Sequence, residues 1–348
     1  MRNENIICDL RKLVNGEKIE NEGLAQLLEN HKCLYVLSKI PSRRLDAIIH
    51  VAMNQRHLEN QYAECEGIFK ALCDVPYSVI KGAVLSDFIY PNPAYRISGD
   101  IDLLAAPVDA EKIKKILVEN GYIQGYIEDE HIVPYTRQEL VYQKTYTHQL
   151  AAFVKKTGNP KCPFVCIDVN FDIMWGEGNL GVDIRSFLKH TFVYELYGMK
   201  LPRLEPVYEF ISLCMHHYKD WNSLYLLSER GVSLSLFLDI YYYIVKVSPN
   251  IAVLKQVSDT LEVTDYITFC LYHTNQLLRS PKLEEYLKVF QPEKAQALLM
   301  RVGLAEDEYK YVDFERSDCI FDSDFAGKFA EILTENDRKK IEINRRYM

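Results

Sequence analysis

Along residues 1–74 the hydrophobic positions repeat at three and four rather than at two, the spacing of helices that bury one face. Leu24, Leu27 and Leu28 share a face, and Leu45, Ile48, Ile49 and Ala52 continue the same spacing. Ser42 precedes charged residues and an apolar periodic run, as a helix start does, so one long helix is predicted over Leu45–Leu72.

The pattern changes at Pro76. Tyr77–Ile80 is a short β-rich run ending at Lys81–Gly82, and Ala83–Tyr90 is a short helix closed by Pro91. Ile101–Ala105 is an apolar strand opened by two aspartates, and Asp109–Asn120 is an amphipathic helix stopped by Gly121. Tyr122–Tyr146 holds aromatic and β-branched runs broken by charges, predicted as irregular strands or hairpins. Phe164–Met174 is the most strand-like segment, and strict alternation puts Asp168, Asn170 and Asp172 on one face. From about Pro202 helical spacing returns, over Pro206–His217, Leu234–Val247, Ile251–Thr260, Thr264–Leu278 and Lys282–Phe290. Residues 305–324 carry eight acidic and two basic side chains, the composition of a solvated linker or surface loop. A basic helix near Phe325–Asn344 closes the chain. The predicted class is α+β, with an N-terminal helical region over 1–74, an α/β core over 75–201 and a C-terminal helical domain over 202–348.

Composition adds limits to this picture. With 348 residues, 48% hydrophobic and 26% charged, the chain can bury a large core without disulfides or structural metal. The net charge of −8 argues against a broad phosphate-tracking surface, so bulk nucleic acid is disfavoured as a partner. The nine cysteines form no C-x-x-C pair and most sit in apolar runs, like Cys214, so they read as small buried hydrophobes of a reducing cytosol. Cys162 and Cys166 lack a second ligand pair at zinc-site spacing. The first residues lack the apolar core of a signal peptide, and Val232–Val247, the most apolar stretch, is interrupted by Asp239 and short for a bilayer. A soluble cytoplasmic protein without membrane contact is the expectation.

Three features carry chemistry. A strand runs into Lys81–Gly82 and a helix follows, a turn where glycine admits close ligand approach and helix amides favour phosphate. Asp100 and Asp102, entering a strand two residues apart, present both carboxylates on one face, where their repulsion calls for a cation; a solvent-exposed strand start is the plainer reading. Asp168 stands in the middle of an apolar strand, where a carboxylate must be paired, hydrogen-bonded or metal-bound. Three converging carboxylates suit Mg²⁺.

The block Lys81-Gly82-Ala83-Val84-Leu85-Ser86, then Tyr90-Pro91-x-Pro93, then Arg96-x-Ser98-Gly99-Asp100-Ile101-Asp102-Leu103-Leu104 resembles the signature of an uncharacterised bacterial nucleotidyltransferase family of the DNA polymerase β-like superfamily. The resemblance continues at Ile167-Asp168-Val169-Asn170-Phe171 and, more loosely, at His217, Trp221, Leu224 and Asp239-Ile240. It implies a small mixed-sheet polymerase-β-like core with helical flanks. It also implies transfer of an NMP from an NTP such as ATP to a hydroxyl, with release of pyrophosphate. Asp100, Asp102 and Asp168 would then be catalytic residues and ligands of two Mg²⁺ ions, with Mn²⁺ as a substitute. Lys81, Gly82, Ala83, Arg96, Ser98 and Gly99 would bind the nucleotide. Two departures stand out: Ala83 follows the glycine where a serine is common, and Asn170 stands where relatives often carry histidine.

For Lys81 and Arg96 the alternatives are a surface lysine and an arginine paired with a nearby carboxylate. His217 and Asp239 more often make a buried structural hydrogen bond, and His148, Trp175 and Tyr241–Tyr243 have ordinary packing explanations. The acceptor hydroxyl could belong to a small molecule, a peptide or protein, or RNA, and the basic tail Arg338–Lys340 with Arg345–Arg346 keeps a tRNA open. A second class of reading is a non-catalytic nucleotide-binding or protein-interaction module on the same fold; three retained carboxylates count against it. A peptide kinase is weaker, because neither a G-x-x-x-x-G-K-[ST] loop nor an H-R-D motif occurs.

Overall fold

The computed structural model describes residues 2–348 apart from 179 and 323. Helices α1 (Arg2–Val14), α2 (Glu22–Asn30) and α3 (Leu34–Leu37) lead into the long α4 (Arg44–Ala71). Asn21 caps α2 by accepting from Leu24 N, which places Leu24 and Leu28 inward. In α4 the periodicity marked the helix but not its buried side: Leu45, Ile48 and Ile49 are exposed, while Ala47, Val51 and Leu58 are buried.

Strands β1 (Tyr77–Ile80) and β2 (Ile101–Ala105) flank α5 (Gly82–Ile89), and both are buried throughout. Helix α6 (Pro107–Glu119) precedes the hairpin β3 (Ile123–Glu128) and β4 (His131–Pro134). Asp129 and Glu130 turn that hairpin with φ of 47° and 61°, the left-handed pair of a tight two-residue turn. Residues 137–146, predicted as strand, form helix α7 (Arg137–Tyr146) instead. Its start is a capping box: Thr136 Oγ1 accepts from Glu139 N, and the Glu139 carboxylate accepts from Thr136 N. Strand β5 (Gln149–Lys156) pairs antiparallel with β6 (Phe164–Asn170). The predicted strand to Met174 stops at Asn170, because Asp172 Oδ1 accepts from the amides of Ile173 and Met174 and turns the chain. After the short α8 (Ile184–Phe187), strands β7 (Thr191–Leu196) and β8 (Met199–Leu204) make a second hairpin about Tyr197–Gly198, both at positive φ.

These eight strands form one mixed sheet in the order β4-β3-β5-β6-β2-β1-β8-β7. The mixed sheet and helical flanks agree with the expected class, and two hairpins extend the sheet at its edges. Its centre is parallel between β2 and β6 and antiparallel between β1 and β2.

The remaining chain is helical: α9 (Pro206–Asn222), α10 (Leu224–Arg230), α11 (Leu234–Tyr242), α12 (Ile251–Thr260), α13 (Thr264–Leu278), α14 (Pro281–Phe290) and α15 (Gln296–Leu299). The helix predicted to Val247 ends at Tyr242, and Tyr243–Val247 winds into a wider π turn. Part of the stretch expected as a solvated linker or surface loop is built into the fold: β9 (Arg301–Val302) pairs with β10 (Lys310–Tyr311), α16 (Asp318–Phe321) follows, and Glu308 and Arg316 are buried. Arg316 lies over the Phe269 ring at 5.2 Å and donates to Asn222 Oδ1 at 3.0 Å, partners that acidic composition does not announce. The single closing helix becomes α17 (Phe325–Ile332) and α18 (Glu335–Tyr347), divided where Thr334 Oγ1 bonds the buried Asp337 carboxylate at 2.6 Å.

The chain forms two compact units: one comprises residues 1–51, 88–90 and 210–346, the other 52–87, 91–209 and 347–348. The eight-stranded sheet lies wholly in the second unit. The N-terminal helices fold with the C-terminal ones; Arg11, for example, donates from Nε to Leu277 O at 2.7 Å.

Candidate active site

The site is built from the centre of the sheet. Because β1 and β2 pair antiparallel with Ile80 opposite Asp102, the chain leaving β1 turns beside the start of β2. Lys81 and Gly82 make that turn at φ of 56° and 48°, both in the left-handed region. A non-glycine residue there is strained, a feature that collects at functional sites. Leu85 N bonds Lys81 O at 3.0 Å, so α5 begins on the turn itself and its first amides precede that bond. A Cβ on Gly82 would stand 3.0 Å from Ser98 Oγ, so a larger residue would have to displace that hydroxyl. This proximity also puts a serine hydroxyl beside the glycine, where Ala83, itself buried, supplies none.

The segment from Asn92 to Gly99 is fixed from α4. Asn54 Nδ2 donates to Ala94 O at 2.8 Å and Arg96 O at 3.2 Å, and Gln61 Nε2 donates to Gly99 O at 3.0 Å. Ser98 Oγ donates to Asp100 O at 3.1 Å. Asp100 therefore reaches the edge of β2 on a backbone whose carbonyls are already bonded. Sequence reasoning missed Asn54 and Gln61; polar residues on a long helix carry no pattern that separates them from a solvated face.

Asp102 and Asp168 are register partners on the adjacent parallel strands β2 and β6. Asp102 is buried, with 9% of its surface exposed, and its Oδ1 accepts from Lys81 Nζ at 2.9 Å and Asn170 Nδ2 at 3.1 Å. Burial would lower the Lys81 pKa, yet the charges of Asp102, then Asp100 and Asp168, hold it above the ordinary lysine value. One ammonium thus lies in the field of all three carboxylates. Burial raises the Asp100 pKa, the Asp102 charge raises it further, and Lys81 and Arg96 oppose both. Of the nine predicted positions, Lys81 follows β1, Gly82 and Ala83 open α5, Arg96, Ser98, Gly99 and Asp100 lie on the segment leading into β2, and Asp102 and Asp168 lie on β2 and β6.

Among the described residues no three His, Cys, Asp or Glu side chains stand as a finished cation cage. The donor set nevertheless fits a hard divalent cation. It is all oxygen, and two of the carboxylates share one register.

Other singled-out residues lie elsewhere. His148, at φ 52°, bonds Asp172 through Nδ1 at 2.8 Å, and a Cβ on Gly176 would meet its Nε2 at 2.7 Å. His217 and Asp239 are fully buried in the helical unit, 3.7 Å apart, and Tyr90 Oη donates to Asp239 at 3.1 Å. Trp175 and Tyr241–Tyr243 are buried. In the basic tail Lys339 pairs with Glu335, Lys340 with Asp307, and Arg345 with Glu229.

The site thus joins a strand-turn-helix unit to two carboxylates in register on neighbouring strands. The chain belongs to an uncharacterised nucleotidyltransferase family, whose model matches residues 19–279. No curated protein gives a significant match. No helix of the described residues is long and apolar enough to cross a membrane.

Proposed function

We propose that the protein transfers an NMP from an NTP to the hydroxyl of a small molecule, a peptide or protein, or an RNA, releasing pyrophosphate. The observation that supports this most is the convergence at one sheet position: Asp102 faces Asp168 across β2 and β6, while Ile80, which leads into the Lys81–Gly82 turn, faces Asp102 across β1 and β2.

Asp100, Asp102 and Asp168 would hold Mg²⁺, two ions on this reading, with Mn²⁺ accepted by the same oxygens. When bound, the metal would neutralise charge on the attacking and leaving oxygens of phosphoryl transfer. The α5 amides from Gly82 and Ala83 hold the triphosphate, with Ser98 Oγ and the Gly99 backbone beside them. Lys81 and Arg96 neutralise phosphate oxygens, which binds the NTP and steadies the pyrophosphate as it leaves. Asp168 draws the acceptor proton as the new O–P bond forms and the α–β phosphoanhydride breaks. Most of the rate comes from placing the two reactants in line. The ion pairs within the basic tail leave it fewer free cations for an RNA, so a small-molecule or peptide acceptor fits the charge distribution better.

The test incubates the purified protein with each NTP radiolabelled at the α-phosphate, MgCl₂ and host lysate, beside an Asp100→Ala/Asp102→Ala control. Label on a peptide, RNA or small molecule with the wild type alone is the expected result. Mg²⁺-dependent NTP binding without transfer, under conditions that include the host acceptors, would point instead to the non-catalytic module. An absence of NTP binding in calorimetry overturns both.

A further inference from the structure

Asn170 sits two residues after Asp168 on β6 and is buried, with 8% of its surface exposed. Its Nδ2 donates to Asp102 Oδ1 at 3.1 Å and lies 3.4 Å from Leu103 O. Both neighbours are acceptors only, so the amide has one workable orientation, nitrogen toward β2. Lys81 Nζ takes the same Oδ1 at 2.9 Å, while Asp102 Oδ2 takes no hydrogen bond from the described residues.

We propose that Asn170 is a positioning residue that fixes the Asp102 carboxylate through Oδ1, so that Oδ2 is the oxygen presented to a divalent cation. This rests on the nucleotidyltransferase reading. The two donors on Oδ1 differ in what they can do next. Lys81 lies on the phosphate turn at the end of a flexible stem, and its ammonium can move to a triphosphate oxygen. Asn170 is anchored in a strand and cannot follow. Once Lys81 turns to phosphate, Asn170 alone keeps the carboxylate from rotating.

The same strand carries Asp168, so the Asn170 bond also sets Asp102 against the third carboxylate: one strand supplies a ligand and orients its neighbour. An amide suits this task because it donates without adding a charge that competes with the cation. Because the site is buried, water cannot readily replace the bond once it is lost. Outer-shell partners of this kind typically change metal affinity by about 10–100-fold when removed.

The test titrates Mn²⁺ alone into the metal-free wild type, Asn170→Leu, Asn170→Asp and Asn170→His. Free Mn²⁺ is followed by electron paramagnetic resonance, and thermal melting is recorded in parallel. Asn170→Leu is expected to raise the Mn²⁺ half-saturation about tenfold or more, and Asn170→His, which restores a ring N–H donor, to recover part of the loss. Asn170→Asp keeps the side-chain volume but adds a charge. It is expected to hold Mn²⁺ as well as the wild type while Mg²⁺-dependent pyrophosphate release falls at least tenfold, a separation that loss of fold does not produce. If Asn170→Leu folds and binds Mn²⁺ like a wild type that binds it well, the positioning role is wrong and the nucleotidyltransferase reading stands. If Asn170→Leu does not fold, unchanged pyrophosphate release in Asn170→Asp overturns the role instead. A wild type that binds neither Mn²⁺ nor Mg·NTP overturns both.

Discussion

Lys81 Nζ and Asp102 Oδ1 are held 2.9 Å apart by residues 21 positions distant in sequence, one on a left-handed turn and the other in a buried strand. The ammonium compensates a carboxylate that water reaches poorly, and in the proposed reaction it also meets the triphosphate. Lys81→Met removes both roles. The KM for NTP in pyrophosphate release is expected to rise tenfold or more, and the slope of NTP affinity against salt to flatten.

Gly82 tolerates a side chain poorly. At φ 48°, with Ser98 Oγ 3.0 Å from a would-be Cβ, Gly82→Ala should cost about 1–2 kcal/mol and lower the melting temperature by several degrees. Gly158→Ala, where a Cβ meets nothing within 4 Å, is the control and should melt within about a degree of wild type. Calorimetry on the three proteins decides the matter.

Arg203 and Glu209 form a buried bidentate pair, Nε to Oε1 at 2.9 Å and Nη2 to Oε2 at 2.6 Å, with the guanidinium over the Tyr194 ring. Arg203→Met strands a buried carboxylate and should cost about 3–5 kcal/mol in urea unfolding. Arg203→Met/Glu209→Leu removes both charges and should recover most of that loss. A double variant as unstable as the single one would show that the pair itself, rather than the stranded charge, carries the stability.

His273 is buried beside Glu315, its Nδ1 3.3 Å from Oε2. Burial pushes its pKa down to about 4, Glu315 pulls it back up, and Arg316 lowers it. The folded protein therefore holds a neutral imidazole that the unfolded chain protonates below its ordinary value of 6.5. That contribution to stability is complete above about pH 6.5 and is lost as pH falls toward 4, by at most about 3 kcal/mol. The Glu315 carboxyl, held below its usual value first by its bond to His273, loses stability in the same direction on acidification. Unfolding measured from pH 7 to 4 should show a decline that His273→Gln flattens.

The two central strands were legible because burial on both faces wrote them as short apolar runs: Tyr77–Ile80 and Ile101–Ala105 appear in the structure with the predicted ends. The helices Ile251–Thr260 and Thr264–Leu278 are equally faithful to their periodicity. Where side chains outside a segment decide its shape, the sequence was silent. Tyr142 and Tyr146 have strand-forming character, but the Thr136–Glu139 box starts a helix before that character can act. The acidic stretch around Glu308 looked solvated, yet Glu308 Oε2 accepts from Leu304 N at 3.3 Å and Oε1 from Lys340 Nζ at 3.2 Å, partners 4 and 32 residues away. The Asp102–Asp168 register likewise depends on a parallel pairing across 66 residues, which spacing alone does not reveal.

Asn54 and Gln61 both reach the Asn92–Gly99 segment from α4, and seven residues is close to two full turns of a helix. The helix therefore behaves as a jig with two pegs at a fixed pitch. Deleting or inserting one residue between them would swing one peg about 100° around the helix axis while the other stayed in place. Point substitutions there test single bonds, whereas a change of length would disengage the segment that delivers Asp100 to the sheet.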